Sequence, residues 1–556
     1  MALVLQFADD GKHKCQPDCE HVQGEWESDE GDMANKALAR GLGVGRSAWL
    51  LPLDFTFKTI GLRYGWLKGL FDHAPPRVLA MTGRLRAERA AWRAVQRVPG
   101  YRAYLHAHGV QVERLVPAGI LEKLPETDKA SYIDRFPLAE RCLGGKIPFR
   151  GTTIDESSGS TGTPYNWIRS EAERHIAHRN ISFFARYCYG ADPLITINAF
   201  SMGAWATGLN MSLALNRNGI VKSTGPDIGK ILSTMRFLGP GYRYLILGYP
   251  PFVKHLLDEG DRADIGWDRY AMHAMVGGEG MTEELRDHLL LRFVSVFSGY
   301  GATDIEIGMA GESPASVALR RIARARPPVR RALFGDDSRL PMVFQYNPLI
   351  HHLEVNEERE VICSISRLDV LAPRIRYNVH DEGGVLDYGQ VAARLRDFGV
   401  RLSQLGAEKD VAGPRGPLPW VQPVQLPFLW IYGRRDATIS VMGANIYPED
   451  IETLIYRDAQ LAAAVHSFSL SVATGSTSTP RPCIAIELND GFAADSAWHD
   501  RLAAQFQAGL DGLNLDYKAA LAEFPAAMAP MVQTFALGEG PFQQDAGRIK
   551  QRRIVR

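Results

Sequence analysis

A layered α/β fold is predicted by three features of the sequence: its size, its apolar content and the alternation of its apolar runs. The 556 residues exceed one small domain and suit a large domain joined to a smaller one. Apolar residues make up 46% and charged residues 23%, so a sizeable core can be buried without a bias to disorder. Beyond Gly151, short apolar runs alternate with amphipathic ones. Residues 194–200, 244–249 and 272–278 read as strands, and 282–293 reads as a helix capped by Thr282. Strand–helix alternation with buried runs predicts a mostly parallel sheet covered on both faces.

The other elements follow in order. Residues 1–85 read as an N-terminal extension, polar to about residue 45 and acidic around 25–32. The nearby His13, Cys15, Cys19 and His21 lack the second ligand pair that a structural zinc site needs. Residues 48–71 are apolar but broken by Pro52, Asp54, Lys58, Arg63 and Lys68, which suits packing or an interface more than a spanning helix. Ala91, Trp92, Val95 and Val98 fall at helical steps within 85–98, and Pro99-Gly100 reads as the stop. Residues 147–154 read as a strand and 168–187 as a helix. Residues 314–337, basic and broken by prolines, and 408–427, rich in proline, read as surface inserts. The domain division is 86–433 for the large unit and 434–556 for a small α+β unit.

Lys+Arg and Asp+Glu both total 63, so no global field draws nucleic acid or an anionic membrane. The six cysteines are scattered thiols, not a disulfide framework. The first residues lack a signal-peptide pattern, and a cytoplasmic location is expected.

Function turns on 156-ESSGSTGTPYNW-167, between the strand-like and helix-like segments. Its glycines let backbone N–H groups approach an anion, and its hydroxyls add donors. It lacks the Gly-Lys-Ser/Thr of a P-loop and the Gly-x-Ser-x-Gly of a nucleophile elbow. Taken alone it is a linker or an anion cradle, and both readings stand.

Downstream segments narrow the choice. The loop 157-SSGSTGTP-164 resembles the Ser-Ser-Gly-Thr-Thr-Gly-x-Pro phosphate loop of the adenylate-forming enzymes, in particular their phenylacetate–CoA ligase-like branch. In the same order, 277-GGEGMTEELRDHL-289, 299-GYGATDIEIG-308, 373-PRIRYNVHDEGG-384 and 433-GRRDATISVMGANIYPEDIE-452 resemble further motifs of that family. Segments 99–105 and 124–137 resemble the branch's early region. The likeness runs from about Trp92 to the C-terminus.

The resemblance implies a large adenylation domain with a small mobile C-terminal domain. It also implies a reaction in two halves, in which an acid is joined to AMP from ATP and then passed to an acceptor. Ser157, Ser158, Ser160 and Thr161 would hold phosphates, with Gly159 and Gly162 allowing close approach. Tyr300 and Gly301 would lie at the adenine, and Gly278, Glu279 and Gly280 beside the base or acyl pocket. Thr303 would donate to the α-phosphate. Asp304 would hold Mg²⁺ where the family has Glu, with Glu306 as an alternative ligand. Asp381 and Arg434 would hold the ribose, and Asp436 would be the hinge. Gly443, Asn445 and Pro448 would face the nucleotide or the thiol after the swing. Arg548 stands where the family has its catalytic Lys, and Lys550 follows two residues on. Phe200, Trp205 and Tyr249 would line the acyl site and suit an aryl or arylacetic acid.

The expected partners are a carboxylic acid, ATP and coenzyme A, with room left for a homodimer. An amine acceptor, or a degenerate protein that binds nucleotide without turnover, are the alternatives.

Overall fold

The computed structural model describes residues 61, 63–157, 165–337, 339–434, 438–474, 480–492, 496–545 and 551–555. They belong to one unit running from Thr56 to Arg556, and residues 1–55 lie outside the described residues.

The chain opens with helices α1 (Tyr64–His73), α2 (Pro76–Arg97) and α3 (Pro99–Ala107). A hairpin of β1 (Thr152–Glu156) and β2 (Asn166–Ser170) leads to α4 (Glu171–Tyr189). Then β3 (Leu194–Asn198), α5 (Ala206–Leu215), β4 (Gly219–Ser223), α6 (Ile228–Leu238), β5 (Arg243–Gly248), α7 (Pro250–Arg262) and β6 (Ala271–Gly277) alternate. They are followed by α8 (Glu283–Leu289), β7 (Ser295–Ala302), β8 (Glu306–Gly311), α9 (Pro314–Ala325) and α10 (Pro327–Phe334). Next come β9 (Met342–Tyr346), β10 (His351–Val355), β11 (Glu360–Ile365), β12 (Tyr377–Leu386), α11 (Tyr388–Arg396) and β13 (Phe428–Arg434). The C-terminal part holds β14 (Ile439–Val441), β15 (Ala444–Ile446), α12 (Pro448–Arg457), α13 (Ala459–Ala464), β16 (Val465–Thr474) and β17 (Pro480–Leu488). It ends with α14 (Ser496–Leu513), α15 (Leu515–Glu523), α16 (Pro525–Met528) and β18 (Met531–Phe535).

Among the described residues, eleven strands form one sheet in the order β10-β11-β12-β13-β9-β8-β7-β6-β5-β3-β4. The strands from β4 to β7 run parallel, and every pairing from β7 to β10 is antiparallel. The sheet is therefore mixed, not mostly parallel. The crossover helices α5, α6, α7 and α8 enforce the parallel half. The short links from β7 onward permit only reversal at β7–β8 and β10–β11. Strand β5, buried from Tyr244 to Gly248, sits in the parallel half as expected. A separate three-stranded sheet, β16-β17-β18, carries its own core around Ile451, Phe468, Ile484, Phe506 and Tyr517. β13 ends at Arg434, and the residues of this second core begin at Ile439.

Local chemistry explains where elements begin. Thr282 accepts from the Leu285 N–H and caps α8 as expected. Ser170 and Glu173 form a capping box, so the helix begins at Glu171 and residues 166–170 are a strand instead of its first turn. The preceding strand starts at Thr152, five residues later than the sequence reading. Pro99 does end α2 but also opens α3, since proline fits the first turn of a helix. The same property corrects the reading of 314–337 as a surface insert. Pro314 and Pro327 each begin a helix, and Arg320 and Arg321 of α9 are buried in ion pairs. Residues 412–427 are irregular, yet Val424 and Leu426 are fully buried. Phe71 of α1 is buried too, so the end of the 48–71 run packs inward. No described helix is long and apolar enough to cross a membrane.

Candidate active site

The parallel strands deliver side chains from their carboxyl ends, where open α/β sheets hold ligands. Phe200 and Ser201 follow β3, Tyr249 follows β5, Gly278 and Glu279 follow β6, and Tyr300 lies near the end of β7. With Ser157, Trp205, Gly301, Thr303, Asp304, Asp381 and Arg434 they line one cleft of about 1460 Å³. A single small-molecule site spans roughly 300–1,000 Å³, so the cleft has room for more than one ligand. Ser158, Gly159, Ser160, Thr161, Gly162, Asp436, Arg548 and Lys550 lie outside the described residues.

The neck of the serine-rich loop is closed by its own ends. The Ser157 N–H donates to the Tyr165 carbonyl at 2.9 Å, and the Tyr165 N–H donates to Ser157 Oγ at 3.0 Å. Ser157 and Tyr165 therefore meet at one point on the cleft wall. The Glu156 N–H donates to the Ala204 carbonyl, which ties this wall to the start of α5.

Asp381 sits in β12 opposite Arg434 of β13. Irregular backbone surrounds it. His380 adopts φ 64°, and the β12–β13 register shifts between Glu382 and Gly383. Bulges of this kind re-aim side chains beside functional sites. The Tyr300 hydroxyl donates to Asp381 Oδ2 at 2.5 Å, and its ring lies against Phe344 with centroids 5.5 Å apart. Burial, then the Asp381 carboxylate, push the Tyr300 phenol well above the ordinary tyrosine value. It stays protonated and holds the carboxylate in place.

Asp304 is buried at the cleft wall. Its Oδ2 receives the Tyr377 hydroxyl at 3.0 Å and lies 3.0 Å from Lys129 Nζ. Glu306, the alternative metal ligand, points elsewhere. It pairs with Arg367 at 2.6 Å and with His351 at 3.0 Å. Burial would raise its carboxyl, but Arg367 and then His351 outweigh it and hold the value down to about 2. Asp304 is thus the carboxylate of the pair that faces the cleft. The described residues hold no cluster of three or more His, Cys, Asp or Glu side chains able to bind a metal alone. Such a site fits Mg²⁺ only in the form that ion favours with nucleotides, one or two carboxylates plus phosphate oxygens.

Lys129 is the functional candidate that sequence reasoning missed. It opens a short π-type turn whose start is fixed by an Asp128–Ser131 capping box. It lay inside segment 124–137, whose likeness to the family was visible but carried no role.

The C-terminal core closes one side of the cleft. Pro448, Glu449 and residues 551–554 line it. The Gln551 N–H donates to Glu279 Oε1 at 3.2 Å, and the Thr282 N–H donates to Glu452 Oε2 at 3.0 Å. Arg339 clasps the join, with its guanidinium 4.3 Å from the Tyr432 ring and 4.7 Å from the Tyr447 ring. Its Nη2 donates to Asp337 at 2.7 Å and to Glu382 at 2.8 Å. Cation–π contacts contribute about 0.5–2 kcal/mol each. Arg339→Ala should therefore speed amide hydrogen exchange across 438–447 about tenfold relative to 342–346. Equal exchange in both segments would show that the clasp carries no load.

No protein-family model matches the chain, and no curated protein sequence matches it. Solved structures do. A 2-hydroxyisobutyryl-CoA ligase in the postadenylation state, in complex with R3-HIB-AMP, superposes with a TM-score of 0.61 at 11% identity. The match covers 88% of this chain and 91% of that one. The same ligase in complex with 2-HIB-AMP gives a TM-score of 0.61 at 12% identity over the same shares. The chain has the fold of the adenylate-forming ligases.

Proposed function

We propose that the protein activates a carboxylic acid with ATP and then passes the acyl group to coenzyme A. The acid's carboxylate oxygen attacks the α-phosphorus of ATP, giving an acyl-adenylate and expelling pyrophosphate. The thiol of coenzyme A then attacks the acyl carbon, giving a thioester and releasing AMP. The observation that carries this reading is the convergence of Tyr300, Asp381, Thr303, Asp304 and the neck of the serine loop on a cleft that continues into an apolar chamber. The ligase of the same fold is seen in complex with R3-HIB-AMP and with 2-HIB-AMP, which supports it.

In this reading Asp381 and Arg434 hold the ribose, Tyr300 borders the adenine, and Thr303 donates to the α-phosphate. Residues 158–162 cradle the outer phosphates, and Lys129 adds a cation beside Asp304. A Mg²⁺ ion held by Asp304 and the phosphates would neutralise charge as it develops. The aromatic lining of the acyl side, Phe184, Phe200, Trp205, Tyr249 and Phe297, suits an aryl or arylacetic acid, as in the phenylacetate–CoA ligase-like branch. Asp436 is the pivot on which the C-terminal core would turn between the two halves.

A pyrophosphate-release screen over diverse acids, with mass detection of the adenylate and with or without coenzyme A, tests the reading. Release with some acid, and AMP formation that needs coenzyme A, are expected. ATP binding with no release for any acid would favour nucleotide binding without turnover, and capture by amines alone would change the acceptor. The catalytic cation is assigned to Lys550. Lys550→Ala should slow adenylation roughly a hundredfold or more, while thioester formation from supplied adenylate falls far less. Arg548→Ala, under the same comparison, should do less. Equal loss in both half-reactions would remove Lys550 from the chemistry.

A further inference from the structure

The apolar end of the cleft carries two hydroxyls that face its open space. Its inner wall is built by Phe184 of α4, Met211 of α5, Met275 of β6 and Phe297 of β7. Gly308 belongs to the same wall. It adopts φ 71°, and a Cβ there would meet Ile181 Cγ1 at 2.5 Å, so α4 lies directly on β8. Two hydroxyls open into this space. Ser201 is only 8% exposed yet lines the chamber, and the backbone holding it is fixed, because Gly208 packs directly on its carbonyl. Tyr249 stands edge-on to Phe200, with ring centroids 5.3 Å apart and planes at 89°. Neither hydroxyl has a hydrogen-bond partner among the described residues. Both hydroxyls face the cleft, so a ligand that covers them without bonding them would strand them, at a cost of about 1–3 kcal/mol each.

We infer that the acid carries a neutral hydrogen-bonding substituent, a hydroxyl or oxo group on its apolar body, which Ser201 and Tyr249 read. Neutrality follows from the charges that face this space. Glu312 is committed to Arg286, with the guanidinium nitrogens at 2.9 and 2.5 Å. Glu279 raises the Tyr249 phenol after burial does, so a second carboxylate there would meet repulsion. Arg320 is occupied by Glu283 and two carbonyls. The tail of the substrate therefore finds donors and acceptors but no free countercharge among them. The inference rests on the acid-activating reading and sharpens its substrate class. A site built to bond a substituent discriminates far more strongly than one that only adds apolar contact.

The test uses the whole chain and matched acids: phenylacetate against its ring-hydroxylated counterpart, and a medium-chain fatty acid against its terminal hydroxy and oxo derivatives. Pyrophosphate release gives kcat/KM for each member. The wild-type protein should favour the substituted member of at least one pair by tenfold or more. Ser201→Ala and Tyr249→Phe, each a single-oxygen deletion, should shrink that ratio about tenfold. No release with any acid would defeat the acid-activating reading itself. Turnover that favours the bare acids, or a ratio unmoved by both variants, would overturn the inference and leave that reading intact. A fall of equal size for both members of each pair would assign the hydroxyls to the reacting carboxylate and would also overturn it.

Discussion

Asp381→Ala should weaken ATP binding roughly a hundredfold, read by calorimetric titration of the whole protein. The magnitude follows from the proposed contacts. A carboxylate that accepts from two ribose hydroxyls makes two charge-assisted hydrogen bonds, each contributing about 1.5–3 kcal/mol. Loss of part of that sum is enough for two decades in affinity. The variant has a second consequence, because the Tyr300 hydroxyl loses its acceptor inside the cleft. Tyr300→Phe separates the two effects. It removes the bond that orients Asp381 but keeps the carboxylate and the aromatic face, so a loss of about tenfold or less is expected. Unchanged affinity in Asp381→Ala would remove the ribose role. A larger loss in Tyr300→Phe than in Asp381→Ala would mean that the pair serves to hold β7 against β12 instead of gripping nucleotide.

The parts of this site that were legible in sequence are those whose chemistry is local. Thr282 announces its helix because a hydroxyl before an acidic first turn satisfies orphan N–H groups. Residues 157–164, 299–304 and 373–381 were each visible as short motifs, and Tyr300 and Asp381 do meet, though 81 positions apart. What the sequence hid was set by distant packing. The antiparallel half of the sheet depends on which strand β13 joins, and its pairing with β9 and β12 follows from no local pattern. Residues 314–337 looked like a solvated basic insert because five of their arginines neighbour prolines or each other. The countercharges that bury Arg320 and Arg321, Glu283 and Asp287, lie in α8. Asp304 and Glu306 are two residues apart and chemically alike, yet opposite neighbours decide them. Arg367 and His351 claim one, and Lys129 with the cleft claims the other.

Arg286→Leu should cost about 3–5 kcal/mol of stability, the cost of stranding buried charge, and chemical denaturation should show it as a lower midpoint. Arg286 is essentially unexposed in α8. Its fork holds Glu312 through two nitrogens at 2.9 and 2.5 Å, and its Nε donates to Glu283 at 3.0 Å. Glu283 would keep Arg320 and Arg321, at 2.8 and 2.9 Å. Glu312 would keep chiefly the Ser298 N–H at 2.7 Å, which cannot balance a full charge. Arg286→Lys should lose less, since it restores the charge without the fork. The pH dependence gives an independent reading. Burial would raise the Glu283 carboxyl, but Arg286, Arg321 and Arg320 outweigh it and hold it well below the ordinary glutamate range. A depressed folded value adds stability above the unfolded value, and that stability is lost as pH falls toward the folded one. In the wild-type protein this contribution should therefore start to fall as the pH reaches the ordinary glutamate range and go on falling well below it. Arg286→Leu should show a smaller loss over the same acid range, because Glu283 without Arg286 is held less far below the ordinary value. Wild-type and variant acid-unfolding curves that coincide would show that the cluster around α8 is held by its apolar neighbours, with the charges as passengers.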